Sequence, residues 1–364
     1  MMRVKLKDIT NYSKGSQING DCLRENGEYI YLNGGIGPSG NWDTYNVLGN
    51  TVTVSEGGNS SGYINYITEP FWCGAHCYYL FNGPKNTKYL YYALKSQQQR
   101  LFKLRSGACM PNIKKKDLGD FEFEFDFNEE IQNNIVNVLD RCNKIIKNYK
   151  LELKMLDILI KARFVEMFGD IHNSRLYPYA NIDSITTVLS GGTPDRKVKE
   201  YWDNGTIRWV KTTELQNCVI TDTEERITQA GMDNSSAKIV PIGSILIAMY
   251  GQGKTRGMTG YLAVECTTNQ ACACILPTKK INQIFLWKYL ILSYDKLRNM
   301  AKGGNQPNLN IGIIKKFPIL VPPIELQEQF ADFVRQVDKS KFEVQKSLEK
   351  TQQLYDSLMQ KYFG

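Results

Sequence analysis

Several groupings in the sequence carry residue types that could do chemistry. Gly251-Gln252-Gly253-Lys254-Thr255 looks like a phosphate loop, in which backbone N–H groups and a lysine cradle a nucleotide. That loop wants a glycine five residues before the Gly-Lys pair, where this chain has Ala248, and a helix after it, where Gly257, Thr259 and Gly260 favour a β-hairpin. No nucleotide site is expected. Cys73, His76 and Cys77 form one thiol cluster, Cys272 and Cys274 another. Structural zinc needs four converging ligands, and neither cluster is joined by a second pair, so no metal is expected. Cys272-Ala273-Cys274 reads instead as two small side chains on one face of a strand. The only histidines, His76 and His172, lie in different segments, and His172 reads as a surface residue past a helix. Histidine acid–base chemistry is therefore not expected. Asp195 has no Glu-x-Lys at a suitable distance downstream, as a metal-dependent nuclease would require. Pro322-Pro323 lacks the flanking Asn/Asp and Tyr of an amino-methyltransferase tetrapeptide. No catalytic residues are assigned.

What remains is the chemistry of hydrogen-bond donors on a basic chain. The net charge is +8, which favours an acidic partner, most commonly nucleic acid. Arg, Lys, Asn, Gln and Ser pair with base edges, and lysines set the register on phosphates. Candidates for such contacts in the first half are Lys14, Ser16, Asn33, Ser39, Asn59, Ser60, Tyr63, Arg105, Asn112 and Lys114. In the second half they are Thr193, Lys211, Thr212, Gln252, Lys254, Thr255, Arg256, Lys302, Asn305, Gln306 and Asn308. For Lys254 and Arg256 a plain solvated turn stays open. Trp202, Trp209 and Trp287 read as packing residues rather than base-stacking ones.

The elements that must position these residues occur twice. Leu6-Lys7-Asp8-Ile9 and Tyr12 to Gly15 match Ile182 to Ile185 and Leu189 to Pro194. The alternating Gly27 to Leu32 matches Gly205 to Val210, and Gly49 to Val54 matches Gly243 to Ala248. Each copy then has a glycine-rich loop (57–62 and 251–260) and a further strand, His76 to Phe81 or Ala271 to Leu276. A short helix follows, Thr87 to Leu94 or Ile284 to Leu290. A polar turn, 107–112 or 303–308, leads to a lysine-flanked strand, Ile113 to Leu118 or Ile313 to Ile319. The order implies two copies of one α+β domain.

Each copy leads into a long amphipathic helix. From about Asn128 to Phe168, the residues Ile135, Leu139, Cys142, Ile146, Tyr149, Leu153, Leu156 and Ile160 alternate steps of four and three. From about Pro323 to Tyr362 the same spacing runs through Phe330, Val334, Val337, Lys341, Val344, Leu348, Thr351, Tyr355, Leu358 and Tyr362, interrupted only by Lys341 and Thr351. Sustained 4-3 spacing is the coiled-coil signature, and each helix would be about 60 Å long. Two helices each packed on its own domain are the alternative.

Leu189-Ser190-Gly191-Gly192-Thr193-Pro194, Tyr201-Trp202 and Ile207 to Thr212 form one ordered set with Ser244 to Ile247 and Gly257, Thr268 to Cys272, Gly304 to Leu309, and Phe317 to Gln327. By that set the second half resembles a target-recognition domain of type I restriction–modification specificity subunits. The first half, with Asn59-Ser60-Ser61-Gly62 and Pro70-Phe71-Trp72, is similar to another class of the same domain and lacks the Gly-Gly-Thr-Pro string. The resemblance implies an α+β fold with two repeated α/β target-recognition domains joined by two antiparallel coiled-coil helices. Their expected bounds are 1–127 and 171–322 for the domains, 128–170 and 323–364 for the helices. It implies that the chain is a non-catalytic reader of bipartite double-stranded DNA that directs adenine methylation by two methyltransferase subunits. A translocase–nuclease subunit is an optional further partner. S-adenosylmethionine is expected on the methyltransferases, and no cofactor on this chain. A region serving a type II-like modification–restriction enzyme, and a non-DNA coiled-coil scaffold, are the alternatives. The charged start excludes a signal peptide and no apolar run reaches the roughly 20 residues of a membrane span, so a cytoplasmic location is expected.

Overall fold

Alternating segments become strands, and the 4-3 seams become helices, in a computed structural model that describes residues 1–107, 111–251, 253–301 and 308–364. These fall into two units. One is Met1–Leu151 with Gln345–Gly364, the other Glu152–Val344.

The first unit runs β1 (Met2–Lys5), α1 (Leu6–Ile9), β2 (Asn11–Lys14), β3 (Tyr29–Leu32), β4 (Gly40–Trp42), β5 (Thr51–Ser55), β6 (Ile64–Ile67), β7 (Trp72–Cys73) and β8 (Cys77–Phe81). Then come α2 (Thr87–Ser96), α3 (Gln98–Phe102), α4 (Lys115–Gly119), β9 (Glu122–Phe125) and the start of α5 (Glu129–Phe168). Its main sheet has the order β2-β8-β5-β6, beside a three-stranded sheet β4-β3-β7 and a pair β1-β9. The period of two sorts the side chains. Val52, Val54, Tyr78 and Leu80 face a core shared with Leu90 and Ala93 of α2. Cys77 turns to a second core with Leu32, Phe71 and Cys73. Asn86 caps α2 by accepting from the Tyr89 N–H, a contact that stabilises a helix by about 1 kcal/mol.

The second unit repeats this plan after the end of α5. It runs β10 (Tyr179–Asn181), α6 (Ile182–Ile185), β11 (Val188–Ser190), β12 (Ile207–Val210), β13 (Cys218–Ile220), β14 (Glu225–Ile227), α7 (Gln229–Asp233), β15 (Ile245–Ala248), β16 (Thr259–Leu262), β17 (Thr267–Thr268) and β18 (Cys272–Ile275). Then come α8 (Gln283–Leu292), α9 (Tyr294–Asn299), α10 (Ile311–Lys315), β19 (Pro318–Leu320) and the start of α11 (Ile324–Phe363). The main sheet, β11-β18-β15-β16-β13, adds only β13 to the order of the first. The smaller sheets are β14-β12-β17 and β10-β19. In both units the middle strand of the small sheet pairs in parallel with the short strand before the last long one: Tyr31 with Trp72, Trp209 with Thr267. Cys272 and Cys274 do share one strand face, packed on Val210, Leu246 and Ala248, while Ala273 and Ile275 point to the opposite core.

The chain differs from the sequence expectation at three places. The lysine-flanked segments 113–118 and 313–319 do not form strands along their length. Their lysines lie mostly in the short helices α4 and α10; the closing strand β9 comes after the first segment, and β19 takes in only Pro318 and Ile319 at the end of the second. Asn310 sets the start of α10 by accepting from the Ile313 N–H, a local cap that outweighs the β-branched run. The strand after the first glycine-rich loop, β6, departs from the expectation as well and pairs with β5, whereas β16 pairs with β15 in the hairpin that Gly257, Thr259 and Gly260 favour. His172 is half-buried rather than a surface residue, and burial pushes its imidazole down from the ordinary value.

Each unit contains a stretch of both long helices. In the second, Lys341 donates to Asp157 at 2.6 Å and the Arg163 guanidinium lies 5.7 Å from the Phe333 ring, so the two stretches run antiparallel. Ile160, Phe330, Val334 and Val337 are buried there, with Leu153, Leu156 and Val344 half-buried. In the first, Ile135, Leu139, Cys142 and Ile146 are buried, and Leu348 and Leu358 half-buried. Met359 and Phe363 join Ile135 and Leu139 in one core.

Candidate nucleic-acid interface

In the first unit five loops meet at one end of the main sheet. The chain leaving β2 is tied to β7 by the Ser16 N–H, which donates to the Cys73 carbonyl at 2.9 Å. The Asn33 side chain accepts from the His76 N–H at 3.1 Å. The hydroxyls of Ser55 and Ser60 both donate to the Gly34 carbonyl. Beyond β5, the Glu56 N–H donates to the His76 carbonyl and the Glu56 carbonyl accepts from the Ile113 N–H, both at 2.9 Å. Gly57 bridges to Asn112. This web brings Lys14, Ser16, Asn33, Asn59, Ser60 and Asn112 to one surface. Lys14, Ser16, Asn59 and Asn112 are exposed there.

The other candidates of this half have different settings. Arg105 donates to the Ser61 carbonyl at 2.8 Å and stacks its guanidinium 4.1 Å from the Phe102 ring. Its first role is to brace the loop. Tyr63 lies under the Lys95 ammonium, 3.7 Å from ring centre to Nζ. Ser39 is exposed on the turn before β4, and Lys114 is exposed just before α4.

The second unit builds the same end on the same hydrogen bonds. The Gly192 N–H donates to the Thr268 carbonyl at 2.9 Å, Met249 N–H to Ala271, and Leu309 N–H to Met249. Gly15 and Gly191 hold equivalent places. A Cβ on either would overlap a carbonyl oxygen, that of Cys73 or of Thr268, so only glycine fits. Thr193 is hydrogen-bonded to Gln270. The β15–β16 loop is held from behind by α9: Tyr294 donates to the Lys254 carbonyl at 2.6 Å, and Arg298 to the carbonyls of Arg256 and Gly253. Lys254 is exposed on this loop, and Thr255 and Arg256 are half-buried. The loop leads into strand β16 and not a helix, so it lacks the geometry of a phosphate loop. Asn308 adjoins it through Leu309.

Lys211 is placed differently. Its ammonium pairs with Glu224 at 2.8 Å and Glu225 at 2.9 Å, and these carboxylates hold it above the usual lysine value. Thr212 opens the short turn beside it and is half-buried. Gln252, Lys302, Asn305 and Gln306 lie outside the described residues.

The three tryptophans pack within the second unit. Trp209 is buried and donates to the Gly192 carbonyl, Trp202 stands edge-on to it, and Trp287 donates to Thr259. Sequence reasoning missed Glu56, Gln270 and Arg196, and weighed His76 only for metal binding and acid–base chemistry. Arg196 lies 3.8 Å from the Trp202 ring and pairs with Glu225. Only their places in the loops could have flagged them. Among the described residues no group of three or more Cys, His, Asp and Glu could hold a metal, and no helix is long and apolar enough to cross a membrane.

Two copies of one framework, each presenting a polar loop surface, define a duplicated recognition protein. The chain belongs to the family described as the type I restriction modification DNA specificity domain, whose model matches residues 1–155 and again 178–354. It is 23% identical over 379 residues to a protein named as a type I specificity subunit of Mycoplasma genitalium, covering 98% of this chain and 92% of that one. It is also 23% identical over 219 residues to the specificity subunit of the type I restriction enzyme EcoR124I/EcoR124II of Escherichia coli, covering 57% and 52%. The crystal structure of a type I restriction–modification S subunit from M. genitalium has the same fold, with a TM-score of 0.68 at 21% identity, covering 100% of this chain and 96% of that one.

Proposed function

We propose that this chain gives a type I restriction–modification complex its DNA address, each unit reading one half of a bipartite double-stranded target. The observation that carries the reading is the duplicated loop surface: six polar candidates brought together in the first unit, and the Thr193, Lys254 and Asn308 region at the equivalent end of the second. The paired helices set the gap between the two halves. The chain supplies no catalysis. Two partner methyltransferase subunits carry S-adenosylmethionine and methylate adenine, and a translocase–nuclease subunit completes a complex that also cuts. Partner docking is supported by exposed apolar side chains along α5. These are Ile131, Val138, Ile145 and Leu151 in the first unit and Met155, Ile158, Leu159 and Val165 in the second. Unpartnered apolar surface of this kind is a mark of association. A complex of this sort works in the cytoplasm, where the chromosome is.

Methylation mapping of genomic DNA, in cells carrying the partner methyltransferase with and without this chain, tests the reading. A bipartite adenine motif that appears only with the chain is the expected result. Exchanging 1–127 or 171–322 for another reader's domain should change one half of the motif. Adding a heptad to both helices should change only the gap. If the methyltransferase is active and the complex assembled, and no motif appears, the chain is a scaffold instead.

A further inference from the structure

The first unit carries a charged cluster that the second lacks at the same place in the shared framework. Lys14 closes β2, Glu56 follows β5 and His76 precedes β8. One oxygen of the Glu56 carboxylate binds Lys14 Nζ, and the other lies 3.4 Å from His76 Nδ1. The Glu56 side chain is only 14% exposed, against 43% for Lys14 and 59% for His76. The Lys14 ammonium also stands 5.6 Å from the centre of the Tyr78 ring. In the second unit the equivalent ladder positions hold Ser190, Met249 and Ala271.

A lysine that only attracts phosphate gains nothing from a half-sheltered carboxylate beside it. The pair is close to neutral, and its long-range pull on DNA is cancelled. A fixed direction is what a base contact needs. With Nζ held by Glu56 and the Tyr78 ring, much of the lysine's rotamer entropy is lost before DNA arrives, and its remaining N–H groups leave from one point. Lysine reads O6 and N7 of guanine in the major groove.

Resting on the DNA-reading function proposed above, we propose that Glu56 is the positioning residue of base readout in the first unit. It holds Lys14, with His76 beside it, as a fixed donor to one guanine in that unit's half of the target.

The test uses the full chain assembled with its methyltransferase. The motif is mapped with the wild-type chain. Binding is then measured to duplexes carrying that motif, and to duplexes with each base pair replaced in turn. Glu56→Gln keeps the shape and removes the charge. Lys14→Met removes the donor and leaves the backbone web alone. In the wild type, replacing the guanine contacted by Lys14 should weaken binding about 5- to 150-fold. Both variants should bring that penalty close to one while every penalty in the other half persists. A Lys14→Met chain that binds all duplexes more weakly, with the salt slope reduced by about one, would be a phosphate contact and would overturn the proposal. So would penalties lost in both halves, which mark a merely structural role, or a motif untouched by both variants. A wild-type chain that brings no motif at all would remove the DNA-reading function and this inference together.

Discussion

Where the two units meet the long helices they are built alike. In the first, Phe363 near the end of α11 packs 5.4 Å from Tyr89 of α2. In the second, Phe168 at the end of α5 packs 5.2 Å from Phe285 of α8. Tyr89 and Phe285 sit at the same distance from their helix caps, Asn86 and Asn282. At the loop ends the units part company. The first presents Lys14, Glu56 and His76; the second presents Thr193 and Gln270 and ties Lys211 to Glu224 and Glu225. Shared packing with divergent loops lets the reading surface vary without disturbing the fold that carries it.

The sharpest way to break this comparison is at the shared joint. Phe285→Ala and Tyr89→Ala each empty a fully buried site, and each should cost about 3–5 kcal/mol. Hydrogen exchange should show the loss first in the unit that carries the change. Equal loss in both units would show that they do not behave as separate bodies. Next come the glycines that close the loop web. Gly15→Ala and Gly191→Ala each force a Cβ onto a carbonyl oxygen and should cost about 3 kcal/mol by overpacking. Thermal unfolding that barely shifts in either variant would show that the loop can move aside.

A smaller effect separates the units by pH. Burial pushes the Lys95 ammonium down to about 8 from 10.5, and Ile291 holds the equivalent place in α8. Between pH 8 and 10.5 the folded chain binds fewer protons at Lys95 than the unfolded chain does, so stability rises with pH across that window. Below it both states are protonated and the cost of burying the charge is constant. Lys95→Met should therefore be the more stable protein at pH 7, with the gap narrowing toward pH 10. Melting temperatures in parallel at several pH values check this, and a gap that widens would reverse the sign. The least effect is expected at Lys341, where the apolar seam of α11 is interrupted. Its partner Asp157 is 64% exposed, and such pairs contribute less than about 1 kcal/mol. Asp157→Ala should scarcely move the unfolding midpoint, and a large loss would assign the pair a role in fixing helix register.

Much of this was legible in the sequence, because the signals are local. Alternation at Gly27 to Leu32 and Gly205 to Val210, and the 4-3 seams after Ile135 and Phe330, are set by the period of each element. The repeated order of elements exposed the duplication. The lysine runs after Ile113 and Ile313 misled because β-branched and basic residues fit a strand edge as well as a short helix; at the second run the cap at Asn310 decides between them, while α4 starts after Lys114 with no side-chain cap. The candidate surface was legible only as residue types in loops. Lys14 and Lys211 look alike in sequence, yet one stands on a sheltered carboxylate at the loop surface and the other is drawn back between two glutamates.

The sequence by itself determined the periodic elements and their duplicated order, because periodicity acts over a few neighbours. Tertiary structure alone decided which charges meet. Glu56 finds Lys14 across 42 residues, and Asp157 finds Lys341 across 184. Such pairings depend on where strands and helices close on one another, and no local pattern records that.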